Sequence, residues 1–146
     1  MIWGFPGFTD HKYPNNKPKS LINAKAETVG QLKTWKESFE QRRCIIPSSG
    51  FFEWKHEEKH NKIKYLFTLQ KQQLLFMAGI YKTVRENDGS DTEYFSILTT
   101  NANSSIADIH NRMPVVLLPF EYEQWLTGDY TKLLDRSDVL LEKKAV

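Results

Sequence analysis

Between residues 65 and 100 the chain repeats one local pattern: a short run of aromatic, aliphatic and β-branched residues, then a polar turn. The runs are residues 65–69, 74–81 and 94–100. They are separated by Gln70-Lys71-Gln72-Gln73 and by a segment containing Asn87-Asp88-Gly89-Ser90. Such side chains suit a pleated surface, and Asn-Asp-Gly supplies the backbone freedom a tight turn needs. The first two runs are expected to pair through Gln-Lys-Gln-Gln, and the third to follow the second turn. Neighbours in a parallel sheet need long crossovers, which these connections are too short to make. The pattern therefore predicts an α+β fold on an antiparallel sheet.

The remaining segments fit that frame. Residues 27–41 predict a helix, opened by Glu27 and Thr28, with Val29, Leu32, Trp35 and Phe39 at helical spacing. Residues 43–54 read as two strand pieces around Pro47-Ser48-Ser49-Gly50, and 55–64 as a charged connection. Residues 104–110 predict a short helix capped by Asn103 or Ser104, and 115–118 a strand. Pro119 suits the first turn of a helix that ends near Gly128. Residues 9–19 are a polar loop, and 138–146 fit no single pattern. With 146 residues and no repeats, residues 1–146 form one domain.

Charge narrows the partners. A net charge of +2 is too small to attract nucleic acid globally, so any such face must be a local patch. The single cysteine, Cys44, excludes an internal disulfide and suits a reducing compartment. No signal-peptide pattern and no apolar run of membrane-spanning length occurs, so a cytoplasmic protein without membrane partners is expected.

Three islands carry chemistry: Ile22-Asn23-Ala24-Lys25-Ala26-Glu27-Thr28, Gly50-Phe51-Phe52-Glu53-Trp54 and His110-Asn111-Arg112-Met113-Pro114. Amide, carboxylate and imidazole are parts of an acid–base site. Glu53, set among aromatics, is either desolvated with a raised pKa or turned to water by strand alternation. His110 is either a proton carrier or a capping residue. Arg112 is either a phosphate fork or half of a surface ion pair. Asn23, between Ile22 and Ala24, reads as a buried amide that needs partners. Trp3 and Phe5 are either a stacking platform for an unstacked base or core packing. Cys44, beside Ile45 and Ile46, reads as a buried structural thiol despite Arg42 and Arg43. His56-Glu57-Glu58-Lys59-His60 satisfies a zinc-hydrolase pattern, but it lacks the apolar helix face that pattern needs. A solvated loop is the expected reading, with no metal site.

These islands, together with Trp3-Gly4-Phe5-Pro6, Arg42-Arg43-Cys44-Ile45-Ile46-Pro47, Ala78-Gly79-Ile80-Tyr81 and Leu98-Thr99-Thr100-Asn101-Ala102, resemble the SOS response-associated peptidase family, or abasic-site processing domain. The resemblance implies a compact barrel-like, mainly antiparallel sheet with peripheral helices. It also implies single-stranded DNA carrying abasic sites as the partner, and no cofactor. By that resemblance Asn23, Glu53 and His110 are catalytic. Trp3, Phe5, Lys25, Thr99 and Arg112 face DNA, with Lys25 standing where the family commonly has arginine. The implied chemistry is a thiazolidine crosslink between an N-terminal cysteine and the ring-opened aldehyde, alongside a peptidase-type self-processing. Here Met1 falls inside the family pattern, so the expectation is a domain short of its nucleophile-bearing segment and inactive as written. A sheet edge exposed in that way would invite oligomers. The alternative is a non-catalytic single-stranded-DNA-binding module.

Overall fold

A computed structural model describes residues 1–7, 19–57 and 62–146. The polar-loop reading of residues 9–19 therefore falls almost wholly outside the described residues, as does His60 of the zinc pattern. Ten strands and two helices are present among the described residues. The strands are β1 (Ile2–Trp3), β2 (Asn23–Lys25), β3 (Arg43–Ser48), β4 (Phe51–His56), β5 (Lys62–Leu69), β6 (Leu75–Arg85), β7 (Asp91–Asn101), β8 (Arg112–Pro114), β9 (Val116–Leu117) and β10 (Leu141–Ala145). The helices are α1 (Lys33–Gln41) and α2 (Tyr122–Thr127), with 3-10 turns at Pro119–Glu121 and Thr131–Leu134.

The β6–β7 hairpin is the spine. Its turn is closed by Glu86 N–H donating to Ser90 O (2.8 Å), and Gly89 sits at φ +86°, which a side chain would resist. On this hairpin a seven-stranded sheet is built. β3 flanks β6 antiparallel, β8 and β9 pair antiparallel with β7 and β6, and β1 and β2 both run parallel to β7. A second sheet, in the order β10-β5-β4, is wholly antiparallel.

Alternation along β7 explains the two-layered core. Leu98 belongs to a cluster with Phe5, Trp35, Phe39, Val115, Leu117 and Trp125, under the two helices. Its neighbour Ile97 belongs to the other, with Phe67, Leu75, Met77, Met113 and Leu141, between the two sheets. The large sheet thus buries apolar residues on both faces. The α+β class holds, but the barrel-like expectation does not: the sheets are separate and partly mixed, and they do not close.

Several local expectations change for tertiary reasons. Residues 65–69 and 74–81 do not pair. β5 joins β4 (Phe51↔Phe67) while β6 joins β3 (Ser48↔Leu75), so the chain crosses between sheets at Gln-Lys-Gln-Gln. Lys71, at φ 58°, takes the crossing turn. The helix expected over residues 27–41 begins only at Lys33. Ala26 N–H ends the β2 ladder on Thr99 O (2.9 Å), and residues 26–32 then make tight turns in which Val29 N–H donates to Lys25 O (2.9 Å). The described ends of the 55–64 connection are strand, Lys55 and His56 in β4 and residues 62–64 in β5, paired Lys55↔Ile63. Residues 104–109 are successive turns, with Asn103 Oδ1 accepting Ser105 N–H at 3.0 Å. The pattern-free C-terminus supplies β10. No helix among the described residues is long and apolar enough to cross a membrane.

Candidate active site and nucleic-acid interface

The C-terminal half of β7 carries parallel β2 on one side and antiparallel β8 on the other. The registers are Asn23↔Ile97, Lys25↔Thr99, Thr99↔Pro114 and Asn101↔Arg112. Directly opposed residues share a face, so Asn23, Lys25, Ile97, Thr99, Arg112 and Pro114 look the same way. β4 brings Glu53 from the smaller sheet, the turns after Asn103 bring His110, and β1 brings Trp3. Together they line a cavity of about 290 Å³.

Glu53 Oε1 lies 3.8 Å from His110 Nδ1, too far for a hydrogen bond and an ion pair only when the imidazole is protonated. Arg112 N–H lies 3.1 Å from that same nitrogen, and Arg112 O also lies at 3.1 Å. When the N–H donates, the neutral ring carries its proton on Nε2, free for substrate. Burial pushes the Glu53 carboxyl above the ordinary glutamate pKa, against the opposing pull of His110 and of a backbone hydrogen bond at Trp54. The flanking aromatics are not the cause. Alternation turns Phe52 and Trp54 outward, each 44% exposed, with Lys64 Nζ 3.7 Å above the Phe52 ring. Glu53 faces inward, opposite to the water-facing alternative.

A carboxyl with a raised folded pKa binds its proton more tightly when folded. Stability therefore falls as pH rises from the unfolded pKa through the folded one, and the penalty persists above it. Glu53→Gln is expected to raise the melting temperature at pH 7. That advantage should fade below the unfolded glutamate pKa; parallel melting curves across pH would contradict it.

The other predicted residues divide. Trp3 is 51% exposed at the cavity wall, its indole N–H donating to Ile22 O at 3.0 Å. Phe5 is fully buried, packed on Trp35 at 5.0 Å between centroids, so it presents no stacking face to DNA and belongs to the core. Asn23 is exposed, because alternation sends Ala24 inward instead. Its amide is open to the cavity and is not a buried group awaiting partners. Lys25 is exposed beside Thr99. Cys44 lies in β3, and burial pushes its thiol up to about 11, which suits a structural role. His56 is the exposed last residue of β4 and not part of a helix, while His60 lies outside the described residues.

Arg112 is the most heavily bonded side chain of the site. Its Nη1 donates to Glu27 Oε1 (2.7 Å) and Asn101 Oδ1 (2.9 Å). Its Nη2 donates to Glu27 Oε2 (2.8 Å) and Thr99 O (2.6 Å). The ion-pair alternative is therefore realised, with Glu27 as the partner. Glu27 reads in sequence only as a helix opener. Its single local signal is the acidic charge inside Asn-Ala-Lys-Ala-Glu-Thr. Pairing with Arg112 holds the Glu27 carboxyl below its ordinary pKa.

The close approach of Glu53 and His110 at the seam of two sheets, with an exposed tryptophan and lysine at the rim of the cavity, defines an α+β domain with an open surface cleft. Residues 1–145 match the family described as SOS response associated peptidase (SRAP), and the chain belongs to that family. It is 35% identical over 111 residues to the abasic site processing protein YoqW of Bacillus subtilis, covering 76% of this chain and 50% of that one. It is 35% identical over 127 residues to the abasic site processing protein YedK of Escherichia coli, covering 86% of this chain and 53% of that one. A crystal structure of a Bacteroides thetaiotaomicron protein superposes with a TM-score of 0.81 at 31% identity, covering 99% of this chain and 67% of the other. The chain thus spans about half the length of the curated relatives it matches.

Proposed function

We propose that this domain binds single-stranded DNA at an abasic site, and that Glu53 and His110 move protons during covalent capture of the ring-opened aldehyde. The observation that carries this is the Glu53–His110 pair, 3.8 Å apart in an open cavity rimmed by Trp3 and Lys25. The names of the relatives point the same way. In the chemistry that the family resemblance implies, the α-amine of an N-terminal cysteine adds to the aldehyde carbon. The hydroxyl of that adduct leaves as water once protonated, giving an imine, and the thiol adds to the imine carbon to close a thiazolidine. Glu53, kept protonated to higher pH by burial, is suited to protonate the departing hydroxyl. In the tautomer whose Nδ1–H donates to Arg112 O, His110 keeps Nε2 free to accept protons from the amine and thiol. Lys25 and Trp3 hold the strand by charge and stacking. The only thiol in residues 1–146 is Cys44, whose raised pKa makes it a poor nucleophile at neutral pH.

A denaturing gel-shift with single-stranded DNA bearing one abasic site tests this. The chain is compared with the same chain preceded by a segment that begins with cysteine. A stable crosslink only in the extended protein is expected. Crosslinking by residues 1–146 alone would shift the chemistry to Cys44 or the Met1 amine. No crosslink and no binding by either version would overturn the proposal.

A further inference from the structure

The site holds two cations, Lys25 and Arg112, yet only one is open. All four terminal N–H bonds of the Arg112 guanidinium have protein acceptors, and two of those acceptors are the oxygens of a single carboxylate, Glu27. That fork-on-fork geometry is the one in which arginine grips a phosphate.

The two partners are held very differently. Arg112 is 19% exposed and tied to Thr99 and Asn101 on β7, so the guanidinium is fixed with or without Glu27. Glu27 is 42% exposed and stands in the turns before α1; Arg112 is its only side-chain partner among the described residues. Glu27, the more exposed partner, is rehydrated when it leaves, and an arriving phosphate would take over the same bidentate fork, so exchange costs less than simply breaking the pair. The pair also separates two spaces. Arg112 lines the Glu53–His110 cavity, while Glu27 lines a neighbouring cavity of about 430 Å³ with Asn101, Asn103 and Thr131. Swinging Glu27 aside would open Arg112 toward that second space.

We infer that Glu27 is an exchangeable internal stand-in for a backbone phosphodiester: it occupies the Arg112 fork in the free protein and yields it to a phosphate of the bound strand. This rests on the proposed DNA-binding reading. The exchange keeps the cavity nearly neutral until a strand arrives, which disfavours loose capture of polyanions. Glu27 is a positioning residue here, acting through Arg112.

The test is fluorescence anisotropy of a labelled abasic single strand across salt concentrations, for the wild type, Glu27→Gln and the double variant Glu27→Gln/Arg112→Gln. Glu27→Gln is expected to bind roughly three- to tenfold tighter near 0.1 M salt, since phosphate no longer displaces an anion. The double variant should lose that gain and show a salt slope flatter by about 0.7, the value for one phosphate contact on a single strand. Should Glu27→Gln fail to fold, Glu27→Asp, which keeps the charge but shortens the fork, should show a smaller gain in the same assay. Weaker binding by Glu27→Gln would make Glu27 a mere brace for Arg112 and overturn the inference. So would equal affinity with equal slope; in either case wild-type binding leaves the DNA reading standing. Absence of binding by every version overturns both.

Discussion

Glu53→Gln, in a chain supplied with an N-terminal cysteine, is expected to slow covalent capture of an abasic site by about 10²- to 10⁴-fold, the usual worth of a positioned acid or base. Glutamine keeps the size of the side chain but carries no transferable proton near neutrality. Affinity for the strand should stay within about twofold, because the carboxyl acts on the reacting centre and not on the backbone. The pH profile supplies a second readout. With its pKa raised by burial, Glu53 works as an acid below that pKa, so the rate it supports falls as pH rises through it. That limb should be missing from the glutamine variant. A single-turnover time course with quantified crosslink measures both, and an unchanged rate would remove Glu53 from the mechanism.

Arg136→Met is expected to cost about 3–5 kcal/mol of stability, the range for leaving a buried charge without its partner. Arg136 and Glu121 are both buried, and Arg136 Nη1 reaches the two carboxylate oxygens at 2.9 and 2.8 Å. Glu121 also accepts the Leu118 N–H at 2.7 Å, which fixes the turn that enters α2. Arg136 Nε donates to Asp135 O at 2.6 Å, bracing the segment that leads to β10. Removing the cation therefore strands a carboxylate and loosens two chain segments together. Urea unfolding of the two proteins measures the loss; a change under about 1 kcal/mol would mean that the pair is solvated, as an exposed pair would be.

The stability pair and the arginine fork share one lesson about legibility. Nothing near Arg136 in the sequence announces Glu121, and Glu27 and Arg112 stand 85 residues apart. The first pair forms where the chain folds back after α2 and the second where β8 meets the turns after β2, and local pattern carries no record of such meetings. Glu53 is a subtler case. Its motif marked it for chemistry, but the cause assigned to its raised pKa, flanking aromatics, was reversed by strand alternation. Phe5 shows the same limit: adjacent to Trp3 in motif, it lies on the buried side because β1 is short and the chain turns inward at Gly4, whose φ is +100°.

By itself the sequence determined the α+β class, the β6–β7 hairpin through its Asn-Asp-Gly-Ser turn, the end of α2 at Gly128, and the residue types of an acid–base site. Those follow from side-chain chemistry and backbone freedom within a few residues. Tertiary structure alone decided that β5 and β6 part into different sheets, that the sheets stay open, and that the formless C-terminus becomes β10. It also decided that Glu27 holds Arg112. Each of these depends on which distant strand completes a hydrogen-bond ladder, and burying both faces of the large sheet selects that partner.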